Sequence, residues 1–202
     1  MNRFLKGAMI LTIAGVIVKI IGAFSKVLVA RILGGEGIGL YMMAYPIYQI
    51  IVSISAAGIP VAISIMIAEK LANRDMRGVQ QVFNVSLRVL TLVGIIFSVG
   101  LYASAEWLIK WNIITDPRAL IPIQLLSPAI IVVTILSCFR GYFQGFQYMV
   151  PTGTSQVFEQ IFRVGSMVGL AYYFIDSGLH LAAGGATFAT FPGVLAGLIV
   201  LV

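Results

Sequence analysis

Long apolar runs separated by short polar joints set the pattern of this chain. The runs cover approximately residues 8–32, 39–68, 81–107, 120–143, 156–175 and 181–202. Each reaches or exceeds the roughly 20 residues that a helix needs to cross a bilayer core. The joints hold the expected breakers: Gly34-Gly35-Glu36-Gly37, the charged stretch 69–77, Asp116-Pro117, residues 148–153 and residues 176–178. The pattern predicts an all-α, polytopic membrane protein with six transmembrane helices. Composition agrees: 60% of residues are hydrophobic and 10% are charged, against about 25% charged in a soluble domain. The opening Met1–Lys6 imitates a signal peptide, but the run behind it is long and contains Lys19 and Lys26, so it reads as a retained first helix.

The second run is the least regular. At about 30 residues it exceeds one span, and Pro46, Gly58 and Pro60 are expected to bend or break it. In transporters such breaks often border a substrate cavity, although a packing kink explains them equally well. Tyr41, Tyr45, Tyr48 and Gln49 share part of its circumference. Tyr45 and Gln49 are candidates for a cavity wall.

Charge within the apolar runs is more informative. Lys19 falls near the middle of the first run, too deep for easy snorkelling, where an ammonium costs about 2.5–3.5 kcal/mol unless it faces protein or water. Lys26 follows two turns later on nearly the same face. Together they suit an anionic ligand carrying phosphate or carboxylate. Alternatively, Lys26 snorkels to the interface and Lys19 pairs with a carboxylate on another helix. In the fifth run, Gln156, Glu159, Gln160 and Arg163 form a polar stripe at helical spacing. Glu159 and Arg163 are either a structural i, i+4 pair or, with Glu159 answering Lys19 or taking up a proton, part of ion coupling. Arg88 and Arg140, near helix ends, are expected to snorkel.

Other chemistry finds no support. One cysteine, Cys138, and one histidine, His180, give no disulfide framework, metal site or thiol nucleophile. Glu159 with Arg163 is not a convergent catalytic set, so neither an enzyme nor a cofactor is expected. The net charge of +6 is spread through hydrophobic runs, which argues against nucleic-acid binding and for a topology signal. With the N-terminus cytoplasmic, the inner joints hold Arg3, Lys6, Lys70, Arg74, Arg77 and Arg140, while the outer ones hold Arg31, Lys110 and Arg118. Because residues 195–202 are still purely apolar, the chain is expected to be the N-terminal part of a longer transporter.

Several stretches carry a family resemblance: residues 29–41, Ala57-Gly58-Ile59-Pro60 with Ile67-Ala68-Glu69-Lys70, Arg140-Gly141-Tyr142-Phe143-Gln144-Gly145, and residues 151–163. In order and spacing they resemble the multidrug/oligosaccharidyl-lipid/polysaccharide flippase superfamily, especially its stage V sporulation protein B-like branch, related to the lipid II flippases. The resemblance implies a two-lobe transporter with this chain as the N-terminal lobe and a C-terminal lobe missing from residues 1–202. It implies alternating access that moves a lipid-linked oligosaccharide or peptidoglycan precursor across the bacterial cytoplasmic membrane, in cell-wall or spore-cortex assembly, with H+ or Na+ as a possible coupling ion. Lys19 matches a basic cavity position of that family, and Lys26 is offset by about one residue from the next. Residues 38–68 depart from some of its members in containing no Lys or Arg. A cation-coupled multidrug exporter of the same superfamily and a non-transporting membrane scaffold are the alternatives.

Overall fold

A computed structural model describes residues 3–56 and 58–202, with side chains from Leu5 onward; Ala57 of the Ala57–Pro60 stretch lies outside the described residues. Among these residues the secondary structure is entirely helical: α1 (Arg3–Ala56), α2 (Ile59–Ala72), α3 (Met76–Lys110), α4 (Leu120–Gly145), α5 (Met149–Phe174), α6 (Leu179–Phe188) and α7 (Thr190–Ile199), with short 3-10 turns at Pro117–Ala119 and Ile175–Ser177. Four stretches are long and apolar enough to cross a membrane: Leu5–Ala72, Met76–Lys110, Pro117–Gly145 and Leu179–Ile199. The first is far too long for one crossing and divides at Gly34. The polar stripe dilutes the apolar character of α5, which still has membrane length. Counting both arms of the first stretch and adding α5 gives six legs.

The joint expected over residues 34–37 narrows to one residue. Gly34 has φ 67° and ψ −175° inside an otherwise helical α1, a conformation essentially reserved for glycine. The arms on either side fold back on each other, since Lys26 and Tyr41, or Lys19 and Gln49, lie nearly equally far from Gly34 and border one cavity. A Cβ at Gly34 would meet no atom within 4 Å, so the cost of Gly34→Ala is conformational. It should lower the stability of the full-length protein by about 1–3 kcal/mol. A variant that melts with its parent would show that the turn does not need this backbone state.

The long second span does divide, at Gly58. This residue has φ 78°, and α2 starts directly after it with Pro60 in the first turn, where a missing N–H costs no helical bond. Pro46 behaves differently from the sequence expectation: α1 runs through it without a break. Proline is tolerated within a membrane helix when packing holds both sides in register, and here the buried Tyr41, Ala44 and Tyr48 flank it. The sixth span, expected as one helix over 181–202, is α6 followed by α7 with Ala189 between them.

Small residues set the close packing. In α6, Ala182, Ala183, Gly184, Gly185 and Ala186 are all buried, letting its backbone approach α4 and α5 as membrane interfaces require. The buried Thr187 hydroxyl donates to the Pro122 carbonyl at 3.1 Å and to that of Gly184 at 2.8 Å. Core residues Val29, Leu40, Leu101, Leu126, Ile130 and Met167 join α1, α3, α4 and α5. Large apolar side chains such as Phe24, Ile54, Ile65 and Ile96 are meanwhile exposed, the inverse of a water-facing surface.

The two ends of the bundle differ. At one, Arg118 reaches Glu36 at 2.7 Å and Asp116 at 2.8 Å, tying the loop before α4 to the α1 joint. Hydrogen bonds from the Arg118 side chain and backbone hold the Asp116 carboxyl below the usual carboxylate range. At the other, Asp75 caps α3 by accepting from the Gly78 N–H at 2.8 Å. Gly145 sits against Ile67 and Gly7 against Met149, bringing α2, α4, α5 and the start of α1 to that end.

Candidate functional site

The site is a cleft of about 440 Å³ between the two arms of α1 and one face of α5. From the first arm come Lys19, Gly22, Ser25 and Lys26; from the second, Tyr41, Tyr45 and Gln49; from α5, Gln160, Arg163 and Met167. Three cationic side chains enter this lining, and no carboxylate does. Among the described residues, neither Lys19 nor Lys26 lies in ion-pair distance of an acidic group, and both are exposed. Helical rise puts Arg163 about 16 Å from the end of α5, near mid-depth, where an uncompensated charge is costly.

The second arm supplies an aromatic wall. The Tyr41 and Tyr45 rings stack with centroids 5.2 Å apart. The Tyr45 hydroxyl oxygen accepts from Gln49 Nε2 at 2.9 Å and from Arg163 at 3.2 Å, leaving its own O–H available to donate. Tyr48, by contrast, turns into the core. Gly22 faces the Gln160 amide, with 3.1 Å between that nitrogen and the position of a Cβ; a glycine on the first arm therefore lets α5 come close.

Behind the lining lies a charged triad. Glu159 accepts from Arg163 at 2.6 Å through Oε1 and from Arg140 at 2.7 Å through Oε2. The three side chains are only 12–20% exposed. Arg140 also donates to Ser155 Oγ at 3.2 Å, and that hydroxyl donates to the Gly197 carbonyl at 2.8 Å. Gly193 and Gly197 permit this arrangement, because a Cβ at either would press on Arg163 or Glu159. The network therefore crosses α4, α5, α7 and the second arm of α1.

These positions divide the sequence expectations. Lys19, Lys26, Tyr45 and Gln49 share one cleft, and Gln160 and Arg163 from the polar stripe join them. Gln156 and Glu159 do not enter its lining, and Pro46, Gly58 and Pro60 are absent from it as well. Arg140 requires a correction. Instead of snorkelling it turns inward, because Glu159 and Ser155 offer two acceptors within reach. Sequence reasoning missed it as a functional residue and missed Ser155 altogether. The i, i+4 ladder Ser155, Glu159, Arg163 was the available signal: a carboxylate between two polar neighbours can take a second cation from a facing helix.

The fold and this cleft define an all-helical membrane protein with a cation-lined cleft. The chain belongs to the polysaccharide biosynthesis protein family, whose profile matches residues 4–202. It is 36% identical over 200 residues to stage V sporulation protein B of Bacillus subtilis (strain 168), covering 99% of this chain and 38% of that protein. It is 30% identical over 210 residues to the lipid II flippase MurJ of the same organism, covering 99% and 39%. The chain thus spans about two fifths of the length of these relatives. Its backbone superposes with a TM-score of 0.81 on an outward-facing multidrug resistance MATE family transporter of the MOP superfamily, at 18% identity, covering 98% of this chain and 43% of that one. That likeness establishes the shared fold. The chain is a multi-pass membrane protein.

Proposed function

We propose that residues 1–202 form the N-terminal lobe of a flippase that carries an anionic, lipid-linked oligosaccharide or peptidoglycan precursor across the bacterial cytoplasmic membrane, in cell-wall or spore-cortex assembly. The observation that carries this reading is the sign of the cleft: Lys19, Lys26 and Arg163 line it without a carboxylate. A phosphate-bearing headgroup loses its hydration on entering the bilayer, and fixed cations in a partly dry cleft replace what water supplied. Tyr45, Gln49 and Gln160 add hydroxyl and amide groups suited to sugar hydroxyls, while the lipid tail stays in the bilayer. A C-terminal lobe beyond residue 202 closes the cleft, and rocking of the two lobes exposes it to each leaflet in turn. No bond is made or broken, so the protein is a carrier and not an enzyme. A coupling ion such as H+ or Na+, or the membrane potential, resets the cycle.

The N-terminus lies on the cytoplasmic side in this reading. With Arg140 committed to the triad, the end of the bundle that holds the N-terminus still carries Arg3, Lys6, Lys70, Arg74 and Arg77 against Arg31, Lys110 and Arg118 at the other, and the excess of Lys and Arg belongs inside.

Flipping of a fluorescent polyprenyl-diphosphate-linked sugar by the full-length protein in vesicles tests the function. Lys19→Ala and Lys26→Ala should each slow it about tenfold, the worth of one charge-assisted contact, and together should reduce it to the protein-free rate. Unaltered flipping in the double variant would remove the proposed anion-binding role.

A further inference from the structure

Arg163 occupies two settings at once. It lines the cleft beside Lys19 and Lys26, and it is bonded to Glu159 behind the lining. Glu159 carries one negative charge but takes a guanidinium on each oxygen, so the triad has a net positive charge in a region where excess charge is costly. A single arginine would neutralise the carboxylate. The second one changes what can move: if Arg163 leaves, Arg140 still holds Glu159, and no unpaired carboxylate remains buried. Arg140 is fixed from the side away from the cleft by Ser155, which is itself anchored to the Gly197 carbonyl. Both arginines keep a buried Nε without a hydrogen-bond partner, but only Arg163 lines the cleft, and its second donor rests on Tyr45, a neutral acceptor in the cleft wall.

We propose that Arg163 is a ligand-contacting residue of the cleft, and that Arg140 is the positioning residue that frees it by retaining Glu159 when an anionic headgroup enters. This rests on the anionic-substrate reading above. Arg163 exchanges one carboxylate oxygen for a phosphate oxygen, so its desolvation is compensated in both states. The empty cleft thereby avoids three unanswered cations, and the loaded cleft gains the third. Because Arg163 also holds Tyr45, its movement reaches the second arm of α1.

Binding of farnesyl diphosphate to the full-length protein in detergent, with farnesol as the uncharged control, separates the roles. Arg163→Gln should weaken diphosphate binding by about ten- to a hundredfold, the range of a charge-assisted contact. Arg140→Gln should also weaken it, although Arg140 does not line the cleft, because Glu159 then retains Arg163. Glu159→Gln should tighten binding, since an amide competes less well for the guanidinium. In the Glu159→Gln background, Arg140→Gln should lose its effect; a purely structural triad gives no such rescue. If an arginine variant does not fold, Glu159→Gln alone decides: tighter binding supports the latch, and unchanged or weaker binding overturns it. Should Lys19→Ala/Lys26→Ala leave diphosphate affinity intact, the anionic-substrate reading itself fails. If that pair weakens binding while Arg163→Gln and Glu159→Gln bind as the parent does, only the latch is lost.

Discussion

Replacing Glu159 with leucine should destabilise the full-length protein by about 3–5 kcal/mol, the usual cost of removing one partner from a buried ion pair. Two guanidiniums converge on this carboxylate at 2.6 and 2.7 Å, and neither has another acidic partner among the described residues. The loss should show as a lower midpoint of thermal unfolding in detergent. The triple variant Glu159→Leu/Arg140→Leu/Arg163→Leu should recover much of that loss, because apolar groups of similar volume often replace a buried triad at little cost. Glutamine at position 159 should cost less than leucine, since it keeps an acceptor for the arginines. If Glu159→Leu melts with its parent, the triad is not a buried electrostatic unit and its arginines find water.

The triad also marks where sequence reading stops. Class and span pattern were legible because bilayer thickness imposes a length on every apolar run, and Gly34 and Gly58 stand where the backbone needs a positive φ. The i, i+4 spacing of Glu159 and Arg163 placed both on one face. That Lys19 and Lys26 share one helix face was likewise readable from their seven-residue separation, whereas the sequence left open whether that face meets a cleft. Arg140 was not readable in this way. Its partner is nineteen positions away on another helix, and a residue a few positions from a helix end can reach water as easily as a neighbouring helix. Only the packing that brings Glu159 and Ser155 of α5 within reach of α4 decides between them. Pro46 shows the same limit: whether a proline breaks a membrane helix depends on what packs around it, as the buried Tyr48 does here.

Reversing the cleft's charge should have the largest functional effect. At an effective dielectric near 20, two unit charges about 6 Å apart interact by about 3 kcal/mol. Turning Lys19 and Lys26 into glutamates changes two such attractions into repulsions, with Arg163 left as the only cation of the lining. Lys19→Glu/Lys26→Glu should therefore reduce affinity for a polyprenyl diphosphate by more than about 100-fold and leave a neutral polyprenol almost unaffected. Added salt should weaken binding to the parent protein and partly restore binding to the reversed variant, since it screens attraction and repulsion alike.

The most direct measurement compares the parent full-length protein's affinity for three amphiphiles of similar tail: a diphosphate, an alcohol and a quaternary ammonium. A cleft lined by Lys19, Lys26 and Arg163 should bind the diphosphate tightest and the ammonium weakest, with the Lys19→Glu/Lys26→Glu variant inverting that order. Preference of the parent for the ammonium would contradict an anion-carrying cleft and favour a cationic-drug exporter.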